Sequence, residues 1–380
     1  MDHLKKIFVS LVMLGCFLTS FGQKLRNVDQ WENLFIQDKG LNYDLDNTLS
    51  LSKDSWAFYK LAYSLDAHIA MFQATGKTVY LDRALELINN MKNGAIPSSQ
   101  LPHSQFKDKY LAWANHSNEE LKDDGLEYPL YESFCWRYVT SLLKILKGSP
   151  DIINNKKYAN QYSDILSFTE ANIFDKWTSR GAGYIYRSNA HMTSHWARIS
   201  LDLWLITGKT KYKKIFQDFD ISMRSQIQVN RKTFGAYTWD TQWNRSTPMA
   251  RLAKISNSSL PVQIQDISHG NAIVGYIIEA YDAGIDFNKS DIDALIVTFN
   301  KVVWKDEGSS SMYIDGTGQG YGRFVDGFMK LGRFSLPLQR RLENYNFGPS
   351  SVYNRRNQFY AYGCLNARIL LARKPVFPNL

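Results

Sequence analysis

Three of the chain's seven histidines fall at the starts of two long apolar helical patterns, among polar neighbours. One pattern opens with Asn189, His191, Ser194-His195 and Arg198, the other with Asp266, Ser268-His269 and Asn271. An imidazole can take or give a proton near neutral pH, and an amide or guanidinium can hold a carboxylate. Taken alone, each Ser-His pair also suits a helix N-cap with a partly buried ring beside it. The coincidence of both pairs with Asn189, Arg198 and Asn271 favours function. His191 and His195 are one helical turn apart and share a face, which is metal-ligand spacing. A third ligand would have to come from Asp266, His269 or Glu132, and no HExxH is formed, so neither a metal nor another cofactor is expected.

Further candidates lie between the helical patterns. Residues 316–323 hold a glycine-rich loop in which the dinucleotide fingerprint fails in register; it presents Tyr321 and Arg323 on a flexible backbone. Trp239 and Trp243 are four residues apart with Tyr237 just ahead, a set that can stack on sugar rings or pack in the core. Among the arginines, Arg355 sits at the start of the last helical pattern beside Arg356, and Tyr131-Glu132 opens an earlier one.

Positioning these residues falls to repeated helical hairpins. The string Thr75-Gly76-Lys77-Thr78-Val79-Tyr80 returns as Thr207-Gly208-Lys209-Thr210-Lys211-Tyr212, each copy between two helical patterns. A phosphate loop needs a glycine five residues before its Gly-Lys, where Met71 and Leu203 stand, so the string reads as a turn. Apolar spacing predicts pairs over residues 55–74 with 79–91, 131–146 with 158–174, 191–206 with 212–226 and 268–283 with 290–303, then less regular units over 322–343 and 352–372. Ser290 or Asp291 suits the N-cap of one helix. The aromatic segments 183–187, 235–240 and 311–315 suit short strands at one end of the assembly, and the polar stretch 93–124 is long enough to cover a mouth of it. The fold class expected is all-α, an α/α toroid of about six to seven hairpins.

Residues 1–22 carry two lysines, an apolar run and small residues near Gly22, the pattern of a secretory signal, so the protein is expected to be secreted or periplasmic, with residues 23–380 as a single toroid domain. A lipid anchor at Cys16 is the lesser alternative. No later stretch is apolar enough to span a bilayer. Cys135 and Cys364 both fall in apolar helical patterns and suit buried thiols, with a bridge between them open if the assembly closes there. With 45 Lys and Arg against 36 Asp and Glu, the formal charge is +9. Without a nucleic-acid module, that excess in a secreted protein points to an anionic polysaccharide.

On these features the chain resembles the secreted α/α-toroid polysaccharide lyases that act on uronic-acid polymers such as alginate, glucuronan or ulvan. The resemblance covers the hairpins of residues 50–372, and Asn189-Ala190-His191 stands where alginate lyases of this type carry Asn-Asn-His. It implies β-elimination with a catalytic tyrosine near a basic residue, which Tyr321 and Arg323 match by type. Asn189, His191 and Arg198 would neutralise the uronate carboxylate, His269 would be the base with His195 as runner-up, and Tyr321 would be the acid or serve in both roles. Glu132, Tyr237, Trp239, Trp243, Asn271 and Arg355 would line the substrate. A glycoside hydrolase on the same toroid, using two of Glu132, Asp240, Asp266 and Asp315 about 5 to 10 Å apart, a glycan-binding protein without catalysis and a C5 epimerase remain open at this point.

Overall fold

Long helices form where apolar residues recur at helical spacing. The computed structural model describes residues 24–41, 43–116, 125–254, 263–306, 309–320, 324–345 and 353–372. The expected signal segment and residues 321–323 lie outside the described residues. The chain is mostly helical. In order, the principal helices are α1 (Val28–Gln37), α2 (Tyr43–Leu51), α3 (Ser55–Thr75), α4 (Thr78–Asn93), α5 (Pro129–Lys147), α6 (Lys156–Thr169), α7 (Ala190–Thr207), α8 (Lys213–Gln226), α9 (Ile267–Asp282), α10 (Lys289–Val297), α11 (Asp326–Lys330), α12 (Leu336–Glu343) and α13 (Tyr353–Leu371). A π-helical turn extends α6 over Glu170–Asp175 and another extends α10 over Thr298–Val303.

Two kinds of helix alternate. α3, α5, α7 and α9 are buried nearly all round, as helices apolar on every face must be. α4 and α8 bury one stripe: Tyr80, Leu81, Ala84, Leu85, Ile88 and Met91 on α4, and Ile215, Phe216, Phe219 and Met223 on α8. α3 packs on α5, α5 on α7, α7 on α9, α9 on α11, α11 on α13, and α13 returns to pack on α3. The one-stripe helices pack on these from outside the series, α4 on α3, α6 on α5, α8 on α7, α10 on α9, and α1 and α12 on α13. Early turns meet early turns, with Tyr59 against Tyr131, Phe134 against His195, His191 against His269 and Arg355 over Tyr63. α3, α5, α7, α9 and α13 therefore run in one direction with their N-termini at a common rim, while α11 starts deeper, its first residue Asp326 facing Arg137 and Arg198 in the third turns of α5 and α7.

The repeated Thr-Gly-Lys string closes α3 and α7. Gly76 and Gly208 sit at φ 71° and 70°, the left-handed cap that glycine adopts without strain. Thr75 and Thr207 donate back to Met71 and Leu203 and accept from the Lys77 and Lys209 amides. Beyond the turn, Lys77 and Tyr80 grip Glu32 of α1, and Lys209 and Tyr212 grip Glu170 after α6. Each string is a cap plus a carboxylate clamp that ties its hairpin to the neighbouring outer element.

Other expectations change in detail. Residues 183–187 overlap a 3₁₀ turn (Ala182–Tyr184) rather than a strand. Two-residue ladders join β1 (Ile96–Pro97) to β2 (Leu111–Ala112) and β3 (Gln228–Val229) to β4 (Tyr237–Thr238), while β5 (Trp304–Asp306), β6 (Ser309–Ser311) and β7 (Gln319–Gly320) form a small antiparallel sheet. The N-cap of α10 is Asn288, in a capping box with Asp291, rather than Ser290 or Asp291 itself. The polar stretch after α4 passes the rim, where Ala114 bridges to Asp54 and the His116 amide donates to the Asp54 carboxylate. Cys135 and Cys364 are free and buried. Among the described residues no helix is long and apolar enough to cross a membrane.

Glu170→Ala takes the acceptor from the buried Tyr212 hydroxyl, whereas Lys209→Ala removes an exposed cation. Urea unfolding should show a loss of about 1 to 3 kcal/mol for the first and under about 1 kcal/mol for the second; equal losses would mean that the tyrosine bond contributes nothing.

Candidate functional site

Asn189 stands at the N-cap position of α7, and Asp266 caps α9 with its side chain. These caps, not the serines, set the register of the rim. Ser194 lies inside α7 and donates to the His191 carbonyl, and Ser268 is exposed on the first turn of α9. The two Ser-His pairs are consequently not equivalent. His191, on the first turn of α7, meets His269 on the first turn of α9 with ring centroids 4.1 Å apart and planes tilted by 30°. His195 lies one turn deeper and is buried.

Each ring is held differently. The Asp266 carboxylate accepts the His269 amide at 3.1 Å and stands 2.8 Å from Nδ1 of the same residue. Burial would raise the Asp266 pKa, but the His269 hydrogen bond and charge outweigh it and hold the carboxyl below its ordinary range. An ionised carboxylate only accepts, so Nδ1–H donates, and the neutral His269 ring keeps its lone pair on Nε2. The His269 side chain is half exposed, which leaves it open to solvent. His195 Nδ1 lies 2.8 Å from Arg137 Nη1. A guanidinium only donates, so Nδ1 accepts and the His195 proton resides on Nε2. Burial, then the Arg137 charge, push the His195 pKa well below its ordinary value. Burial and the charge of His269 lower that of His191 to about 3, and its Nδ1 is buried without a partner.

Arg137 had no sequence signal. It stands in the third turn of α5, its guanidinium over the rings of Phe134 and Tyr138, donating to the Tyr138 hydroxyl at 2.6 Å and facing Asp326 at 3.4 Å. Nothing in the local string Phe134-Cys135-Trp136-Arg137-Tyr138 marks it, because its partners come from α7 and α11.

Several sequence candidates lie elsewhere. Arg198 is buried two turns below the rim, bonded to Glu279 at 3.1 Å and near Asp326 at 3.7 Å, so its charge is already spoken for. Glu132 is fully buried, bonded to Lys176 and to the Trp177 indole at 2.7 Å; burial raises its pKa against the pull of Lys176. Trp239 packs beneath Gly270 at 1% exposure, and the Trp243 indole donates to the Arg187 carbonyl at 3% exposure, so neither presents a face to a sugar. Tyr237 donates to Asp291 at the start of α10. Asn271 accepts from the Val325 and Phe328 amides and so caps α11. Asp240 is half-buried in a backbone bridge to Ile264, and Asp315 is turned onto its own loop at Thr317. Arg355 stays at the rim with its guanidinium 5.3 Å from the Tyr63 ring. Asn189 is half-buried there, its side chain making no capping bond. Tyr321 and Arg323 lie outside the described residues. Among the described residues, no group of three or more His, Cys, Asp or Glu side chains comes together in a metal-binding arrangement.

The rim thus offers an imidazole base oriented by a carboxylate, a neutral imidazole fixed as an Nε2–H donor, and a second neutral imidazole stacked on the first. Compared with known protein families, characterised proteins and solved structures, the chain matches none.

Free histidines gain a proton below about pH 6.5, whereas folding holds His191 and His195 neutral to much lower pH. The unfolded chain therefore binds more protons in that window, and these two residues take stability away as pH falls from about 6.5. Nitrogen chemical shifts of the folded protein should show both rings neutral at pH 5, with His195 as the Nε2–H tautomer; protonation of either ring at pH 6 would contradict the arrangement.

Proposed function

We propose that the protein is a polysaccharide lyase that cleaves a uronic-acid polymer of the alginate, glucuronan or ulvan type by β-elimination, on an α/α toroid whose inner ring is the series α3, α5, α7, α9, α11 and α13. The observation that carries the reading is the Asp266–His269 pair beside His191, with Arg137 holding His195 as a neutral donor. Elimination at a uronate asks for this combination. The C5 proton is weakly acidic, and hydrogen bonds to the neighbouring carboxylate stabilise the enolate-like charge that develops as it leaves. His269 Nε2 takes that proton, the C5–H electron pair forms the C4–C5 double bond, and the C4–O4 bond breaks with O4 leaving as an alcohol. His191 and His195 supply hydrogen-bond donors for the carboxylate. Tyr321, with Arg323 to stabilise the phenolate left behind, is assigned the proton for O4 on the strength of the resemblance.

Hydrolysis is less well supported. Glu132 is committed to Lys176 and Trp177, and Asp266 to His269, so two facing carboxylates are not what the rim offers. Secretion to the periplasm or beyond, where such polymers occur, accords with the basic charge.

Incubated with alginate, glucuronan, ulvan and a neutral glucan, the protein should raise the absorbance of unsaturated uronate on a uronate polymer alone. His269→Ala should lower kcat by about 100- to 10,000-fold, and undiminished turnover would move the base elsewhere.

A further inference from the structure

The described rim has a second half apart from the histidines, of whose residues the sequence singled out Tyr131 and Arg355. Trp56, Tyr59 and Tyr63 follow one another along the first turns of α3, and Tyr128 and Tyr131 open α5. Trp56 stacks on Tyr59 at 5.2 Å, Tyr131 lies 4.9 Å from Trp56 and 4.6 Å from Tyr128, and all five rings are only half-buried. That exposure distinguishes them from the core aromatics. Trp31, Trp113, Trp136, Trp177 and Trp196, by contrast, are each at 0 or 1% exposure.

The strip is continuous with the histidines. Phe134 stacks on Tyr59 at 4.0 Å and meets the His195 ring edge-on at 5.3 Å, so one side chain joins the aromatic half to the imidazole half. Cations stand along it. Lys60 lies 5.3 Å from the Trp56 ring and is exposed, and Arg355 lies 5.3 Å from Tyr63. Flat aromatic faces favour the apolar C–H face of a pyranose, and cations at their edges favour a ring that carries a carboxylate.

We infer that Trp56, Tyr59, Tyr63, Tyr128 and Tyr131 form a sugar-stacking subsite that carries the uronate chain away from the histidines, with Lys60 and Arg355 reading its carboxylates. The inference rests on the functional reading above for its occupant, an acidic polysaccharide, but not for any catalytic step. It also relocates the substrate platform from the buried Trp239 and Trp243 to helix starts that carry no loop motif.

Calorimetry with short and long uronate oligosaccharides tests it, in a His269→Ala background that holds substrate without turning it over. Trp56→Ala and Tyr131→Ala should each weaken binding of the long oligosaccharide by about three- to ten-fold and leave the shortest nearly unaffected. Trp56→Phe, which keeps a ring, should recover most of the loss. Lys60→Ala, at an exposed position, should weaken binding of the uronate chain but not of its carboxyl-reduced counterpart, and near-ultraviolet dichroism checks the fold of each variant. Equal affinity of the alanine variants and their parent for every length would overturn the subsite, whether or not elimination is observed. Ring-dependent binding by a protein that eliminates nothing would sustain the subsite and remove the lyase reading. Binding to no uronate chain at all would overturn the subsite as stated.

Discussion

Four cations and four carboxylates, buried or nearly so and neutral in sum, join the six helices of the inner series. Lys144 binds both Asp202 and Glu279; Lys330 binds Glu279 and Asp326; Arg198 reaches the same two, and Arg137 faces Asp326. Asp66 brings in α13 through Gln358 at 2.6 Å and Tyr362 at 2.8 Å. A charge buried here without its partner is a large penalty, about 3 to 5 kcal/mol when one member of such a pair is removed. Each helix must therefore sit at the register that brings its charge to the others. Three cations around Glu279 hold its pKa well down against burial, while burial and the neighbouring Asp326 charge lift Asp66 to about 6. The network is thus balanced most tightly around Glu279 and least tightly beside α13.

The rim inherits its geometry from this network through Arg137. One guanidinium edge serves Tyr138 and Asp326 inside, while Nη1 turns outward to His195. The tautomer of a rim histidine is consequently set by an arginine whose own position the buried carboxylates determine. Burial of His195 and His191 then keeps both rings neutral, and the more exposed His269 is left to Asp266. Differences in burial across one rim thus give identical side chains distinct surroundings, two rings enclosed and neutral and one half exposed beside a carboxylate.

Much of this order is written locally. The helices over residues 55–75, 129–147, 190–207 and 267–282 follow apolar spacing, and the two Thr-Gly-Lys strings mark helix ends because a left-handed cap has a local signature. The placement of His191, His195 and His269 at helix starts was likewise legible. Their partnership was not, since alignment by Ser-His pairs His195 with His269, whereas the N-caps Asn189 and Asp266 pair His191 with it. Trp239 and Trp243 were ambiguous because an aromatic loop can lie over a core as readily as beside a cleft, and here both indoles are covered. Arg137 and the network were out of reach: a charge inside an apolar helix announces that it has a partner, but only the return of the inner series on itself says which one. The aromatic strip was hidden in the same way, its rings lying at helical spacing that suits a core.

Oxygen-18 water decides the central claim most directly. If cleavage of a uronate polymer proceeds by elimination at the histidine rim, the oligosaccharides released in labelled water will carry no label from bond cleavage, and each new non-reducing end will be lighter by one water than a hydrolytic end. Label built into the new reducing ends, with saturated non-reducing ends, would show hydrolysis and contradict the assignment of His269 as the base of an elimination.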